Sequence, residues 1–295
     1  MIRWTTKGAV STPTTVQIRV ERHFPGRIRA GAPEPSRSLG SDELLANLRH
    51  FTEGLRGPRT APCTGLVLSG AGVVARPDLQ PALQQARAWG IERVVLHLDA
   101  SDLASLDGTR LAGLDHLVVP LQPGPGLDAQ VARLRAELPP GLRLHTHTPL
   151  TAAALQDIDT LPRVLATLRP DGAAFTFPFP LGEGPPPPPP DVVMRRLGPI
   201  LDALADQGQH AWVNGLPACF VGPYGANLRR ATNRWYVDAD HQQADALLFF
   251  PDVLAFHKAD TCRFCAADPT CDGFFARWLS QPGWPALRPL EAAPR

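Results

Sequence analysis

The chain has 295 residues, with 29 Lys and Arg against 28 Asp and Glu, a formal charge of +1, and 44% hydrophobic residues. Near-neutrality excludes the basic excess with which a nucleic-acid binder holds phosphate, and no apolar run approaches the ~18 residues of a membrane span. Residues 1–15 carry no apolar signal-peptide core, so the expectation is a cytoplasmic protein with neither a nucleic acid nor a membrane as partner.

The first two-thirds of the chain alternates between strand-like and helix-like patterns. Strand-like runs rich in Val, Leu and Phe are predicted at 15–22, 65–69, 93–99, 116–121, 142–148 and 173–177. Between them, helices are predicted over 42–55, 78–89, 127–138 and 151–168, each with apolar residues at three- and four-residue spacing; Leu127, Val131, Leu134 and Leu138 make one such stripe. Ser41-Asp42-Glu43 and Pro77-Asp78 open the first two helices with residues that suit free N–H groups and the helix dipole. Such alternation implies parallel strands, because each crossover returns the chain to the same edge. Periodicity leaves an open sheet and a partial barrel both standing. The proline-rich run 182–190 reads as an extended spacer. A helix at 191–206 and a strand at 211–214 follow. From Gly215 the texture changes to cysteines, aromatics and turns, which puts a domain boundary there: 1–214 and 215–295.

Four of the five cysteines fall in that second part: Cys219, then Cys262-x2-Cys265-x5-Cys271. A Cys-x2-Cys turn aims two sulfurs at one centre, and Pro269 and Gly273 favour the turns that bring a third around. In a cytosolic chain this pattern points to metal rather than to disulfides. Spacing leaves its identity open between an iron–sulfur cluster and structural zinc. Cys63 stands apart and reads as incidental. Phe249-Phe250-Pro251, Phe274-Phe275 and Trp278 are expected to cover the site, and 233–241 to form a hairpin-like segment packed around it.

Pro217-Ala218-Cys219, Lys258 and Cys262-x2-Cys265-x5-Cys271-Asp272-Gly273 resemble the auxiliary-cluster region of radical SAM enzymes of the SPASM/Twitch type. Gly65-Leu-Val-Leu-Ser-Gly-Ala-Gly72 with Arg76-Pro-Asp-Leu79 resembles that family's second strand, its Gly-Gly-Glu-Pro motif and the helix start that follows. Leu144-His-Thr-His-Thr-Pro-Leu-Thr151 resembles its fifth strand–helix unit. The resemblance spans roughly residues 14–280. It implies an α/β fold, a partial (β/α)6 TIM-like barrel with a small cysteine-rich C-terminal extension, and a [4Fe–4S] cluster on Cys219, Cys262, Cys265 and Cys271.

The resemblance is also incomplete. The family's Cys-x3-Cys-x2-Cys loop should follow the first strand, where His23, Arg27 and Ala30 occupy the three positions, and no cysteine precedes Cys63. Alanine has no ligand atom, and arginine cannot ligate iron as a cation. Gly70-Ala71-Gly72-Val73 lacks the family's glutamate, which holds the SAM amino group. With two parts of one machinery missing, the expectation is a degenerate member, a pseudoenzyme that does not cleave SAM.

His97 and Asp99 alternate on one predicted strand and His145 and His147 on another, so each pair shares a face. Near strand C-termini such groups suit metal binding or acid–base chemistry. Against that stands a bland reading, hydrogen-bonded histidines with Asp99 capping the turn at Ser101-Asp102. Three functions result. The first is a cluster-binding accessory protein for a peptide, a small molecule or a partner maturase. The second is an active radical SAM or barrel metalloenzyme using His97, Asp99, His145 and His147, and the third is a zinc-stabilised binding module.

Overall fold

The computed structural model describes residues 2–3, 9–10, 12–21, 37–54, 61–178, 187–229, 232–249, 256–268, 271–280, 284 and 286–291. His23, Arg27, Ala30, Arg230, Phe250, Pro251, Pro269 and the first part of the proline run lie outside the described residues. No helix among the described residues is long and apolar enough to cross a membrane. The chain gathers into two compact units, one of Met1–Pro120, Ala132–Leu144 and Asn233–Phe250, the other of Leu121–Val131, His145–Thr232 and Pro251–Arg295.

The first unit is built on a mostly parallel sheet. A small antiparallel pair, β1 (Ile2–Arg3) and β2 (Ala9–Val10), precedes it. Strands β3 (Thr15–Arg19), β4 (Gly65–Ser69), β5 (Arg93–His97) and β6 (His116–Pro120) then pair in parallel, in sequence order. Val16, Ile18, Leu66, Leu68, Val94, Leu96, Leu117 and Val119 are all fully buried and share one face by the two-residue period. Gln17, Arg19, Ser69 and His97 alternate with them, and the register sets Arg19 opposite Ser69 and Ser69 opposite His97. A parallel sheet buried on both faces reads as continuous apolar runs. This one runs close to that pattern, with Leu66-Val67-Leu68, Val94-Val95-Leu96 and Leu117-Val118-Val119, and its second face sets Val67, Val95 and Val118 among Gln17, Arg19, Ser69 and His97.

Segment 233–241 supplies one strand of a hairpin whose partner strand lies beyond it. Strand β10 (Arg234–Val237) pairs antiparallel with β11 (Leu247–Phe249) and parallel with β3, which places the backbone of Phe249 in the first unit rather than among the cysteines.

Helix α1 (Ser41–Arg49) starts from Gly40, whose N–H donates to the Glu43 carboxylate at 2.8 Å. The last turn of the expected helix is wound as a π-turn over His50–Gly54, where Thr52 Oγ1 donates back to the Leu48 carbonyl. Helix α2 (Leu79–Ala88) follows Asp78, whose carboxylate does not cap it but takes both a 2.9 Å and a 2.6 Å bond from Arg76. Arg76 also donates to the Leu39 carbonyl, so Arg76-Pro-Asp is a clamp between loop and helix. Helix α3 covers Leu127–Glu137.

In the second unit, β7 (Arg143–Pro149), β8 (Gly172–Thr176) and β9 (Ala211–Asn214) are again parallel. The single helix expected over 151–168 is broken. Thr151 caps α4 (Ala152–Gln156), a tight turn occupies Ile158–Thr160, and α5 (Leu161–Leu168) restarts with Pro162 in its first turn. Proline has no N–H to continue the earlier ladder but suits a helix start, so the break follows from the sequence. Helix α6 (Pro190–Asp206) carries β8 to β9, and β9 leads to the short helix α7 (Ala218–Val221). Strands β12 (Phe256–His257) and β13 (Phe274–Phe275) pair across the cysteine segment, and α8 (Ala276–Leu279) closes it.

Candidate metal centre

The pairing of β12 with β13 makes a loop of residues 258–273, and that loop holds three of the four clustered cysteines. Its course is a chain of turns. The Cys262 N–H donates to the Ala259 carbonyl (2.8 Å), the Cys265 N–H to Cys262 (2.9 Å), and the Cys271 N–H to Ala267 (2.9 Å). Lys258 spans it, its ammonium donating to the Asp268 carbonyl oxygen at 2.8 Å and to its carboxylate at 2.9 Å. Gly273 ends it at φ +89°, and a Cβ there would stand 2.5 Å from the His257 carbonyl oxygen. The turn therefore requires glycine on two grounds. Cys219 arrives from the other side, on α7.

All four sulfur-bearing residues line one small hollow, together with Pro217, Lys258, Asp268, Gly273, Leu287 and Arg288. Two of the sulfurs accept a backbone N–H: Cys271 from Gly273 (3.4 Å) and Cys265 from Leu290 (3.2 Å). Burial pushes the Cys219 thiol up, against the Arg288 N–H, and the neighbouring Cys271 and Cys262 push it the same way. Burial likewise raises Cys262, with Cys265 and Cys271 adding to it and the Ala259 N–H and Lys258 opposing. The sulfurs thus feel one another as charges. Among the described residues, however, no group of three or more His, Cys, Asp or Glu side chains is arranged to hold a metal ion.

An aromatic cluster flanks the hollow. Phe274, next to Gly273, lies 5.3 Å from Phe220, 5.4 Å from Phe177 and 5.8 Å from Trp284, ring centre to ring centre. Trp278 stacks on Trp284 and donates its ring N–H to the Pro178 carbonyl. Phe274, Phe275 and Trp278, expected as cover for the site, are all three buried. Cys63 is buried in the first unit with its thiol pushed up to about 12 by desolvation.

The histidine set reads differently. Asp99 is a cap: its carboxylate accepts the Ser101 N–H at 3.0 Å and the Ser101 hydroxyl at 2.9 Å, and the Ser101 N–H leads the causes that hold it below the usual carboxylate range. His97 shares the second face of the first unit's sheet with Ser69 and Arg19. His145 and His147 share a face of β7 in the second unit, opposite the buried Thr146 and Thr148. His145 packs 5.8 Å from the Trp212 ring, over Gly172, where a Cβ would strike Trp212. Burial lowers the His147 imidazole and keeps it neutral. The Gly70-Ala71-Gly72 turn, at φ +113° and +76°, gives its Gly72 N–H to Asp102 at 2.7 Å. Asp102 is buried, and desolvation raises its carboxyl.

Sequence reasoning missed Asp102, Asp268, Trp284 and, above all, the tail from Leu287 to Leu290. The tail reaches the site through its backbone, which no residue type advertises.

No family model matches the chain, and no curated protein matches it. Among solved structures, that of Streptococcus suis SuiB bound to the precursor peptide SuiA is similar at TM-score 0.48 and 11% identity, over 69% of this chain and 49% of that one. The chain therefore spans about half the length of that structure.

Proposed function

We propose that this chain is a radical SAM-like protein that holds one [4Fe–4S] cluster on Cys219, Cys262, Cys265 and Cys271, does not cleave SAM, and serves a peptide or small-molecule maturation pathway as an accessory or binding protein. A partial (β/α)6 barrel is the architecture this reading assigns to the parallel strands, and a reducing compartment is where its thiols stay free.

One observation carries the reading: four cysteines line a single hollow, and the sulfurs of Cys265 and Cys271 already receive a backbone N–H. The donor set fits. Four thiolates brought together repel one another and need positive charge among them, and the amides directed at Cys265 and Cys271 favour the charged form that binding requires. When bound, the cluster would supply one-electron redox capacity. The chain's own contribution is to hold the four sulfurs, keep water away with Phe274 and Trp278, and fix the loop through Lys258 and Gly273.

The experiment is iron and acid-labile sulfide analysis of anaerobically purified protein, beside a test for 5′-deoxyadenosine with SAM and a strong reductant. The reading expects about four iron and four sulfide per chain and no 5′-deoxyadenosine. One zinc without sulfide would replace it with a zinc-stabilised module, and 5′-deoxyadenosine would make the protein an active radical SAM enzyme.

A further inference from the structure

We infer that the C-terminal segment Leu287–Leu290 is a working part of the cysteine site, a strap whose backbone amides retain the bound cluster and set its reduction potential. The inference rests on the reading that the four cysteines hold that cluster.

The segment touches the site three times. The Leu290 N–H donates to Cys265 Sγ at 3.2 Å, and Arg288 lines the hollow with Cys219, its backbone N–H opposing the burial that pushes that thiol up. The Leu290 carbonyl accepts the Ala266 N–H at 3.0 Å, so the strap is bonded both to the ligand sulfur and to the turn just beyond it. Cys219 and Cys265 come from segments forty-six positions apart, and the strap joins them without a side chain. Leu287 and Arg288 also form part of the wall of the hollow.

The physical consequence is reciprocal. An N–H···S bond strengthens as negative charge gathers on sulfur, so a loaded site holds the strap more tightly than free thiols do. By the same coupling the strap holds the loaded site. Because a reduced cluster carries one more negative charge, amides directed at its sulfurs favour reduction and raise the potential.

Three proteins test this against the full chain: one ending at Ala286, which lacks both amides; Leu290→Pro, which loses one N–H; and Leu290→Ala, which keeps it. Each is loaded with iron and sulfide anaerobically. Iron release to bathophenanthroline and the midpoint potential are then measured, and tail cleavage by a dilute protease is compared in loaded and iron-stripped full chain. The shortened chain and Leu290→Pro should release iron about tenfold faster, as the loss of a hydrogen bond to a charged acceptor predicts. Both should show a more negative potential, while Leu290→Ala behaves like the full chain. The tail should be cut more slowly in loaded protein. Release and potential unchanged in both altered chains would overturn the strap and leave the cluster standing. A full chain that takes up no iron and sulfide overturns both. If the shortened chain does not fold, the contrast between Leu290→Pro and Leu290→Ala decides.

Discussion

Lys258 and Asp268 are joined twice, the ammonium of one reaching both the main-chain oxygen (2.8 Å) and the carboxylate (2.9 Å) of the other. Nine residues, two of the four cysteines among them, lie between the two. In a chain whose other basic residues are arginine apart from Lys7, a lysine here is the more telling: a compact ammonium donates to two close oxygens without the width of a guanidinium. Both side chains are about one-third exposed, so the ion pair itself stabilises the protein little. Lys258→Ala should therefore move the melting temperature by only a degree or two, as an effect below about 1 kcal/mol implies, yet speed iron release from the loaded protein several-fold. Equal release from Lys258→Ala and the parent would show that the bridge does not hold the loop.

Gly273→Ala should do more damage than its size suggests. It places a Cβ 2.5 Å from the His257 oxygen at a left-handed φ of +89°, and such strain costs about 1–3 kcal/mol. Gly90 has φ +94° but nothing within 4 Å of its Cβ position, so Gly90→Ala isolates the dihedral cost. Denaturation of the two variants should rank Gly273→Ala as the less stable, and only that one should lose iron.

Cys63→Ala should leave the iron content unchanged. Its thiol is buried at 1% exposure in the first unit, with the Cys63 N–H tied to the Phe51 carbonyl. A small core deletion of this kind costs about 1 kcal/mol, readable as a shift in the urea midpoint. Lost iron would bring Cys63 into the site.

How much of this was legible in the sequence follows from what each feature is made of. The strands β3 to β8 were visible as short runs rich in Val, Leu and Phe, and the Cys-x2-Cys-x5-Cys loop because thiols at short spacing have few other uses. The break in the 151–168 helix was legible in retrospect, since Pro162 is in plain view. The placement of β10 beside β3 was not: the two segments are more than two hundred residues apart and meet through backbone bonds that any residue can make. Asp99 shows the opposite difficulty, because an acidic residue at a strand's end serves a cap and a pocket equally well, and only the Ser101 contacts separate them. The strap from Leu287 to Leu290 left no trace, since peptide N–H groups carry its role.

Asn47 is buried at the joint between α1 and the loop after β10. Its amide donates to the Glu43 carbonyl (2.8 Å) and to Gln242 (3.0 Å), and its oxygen accepts the Gln243 N–H (2.8 Å). Gln243 is held there at φ +49°. Asn47→Ala removes the partner that fixes this turn, a loss of about 1–2 kcal/mol. Asn47→Asp keeps the acceptor and should recover part of it. Urea titrations of the two variants check the order.

His147 gives the fold a pH dependence of definite sign. Burial lowers its folded pKa below the ordinary 6.5, so between the two values the unfolded chain binds the proton more readily. Stability is then complete above about pH 7 and falls as the pH drops through 6.5 towards the folded value. His147→Gln removes this proton uptake, and its stability should change less between pH 7.5 and about 5 than that of the parent. The His50 imidazole is lowered by burial as well, so some slope should survive in His147→Gln and vanish further in the double variant with His50→Gln. Urea unfolding at a series of pH values measures this directly. An identical slope in parent and His147→Gln would mean that the imidazole gains its proton as easily in the fold as out of it.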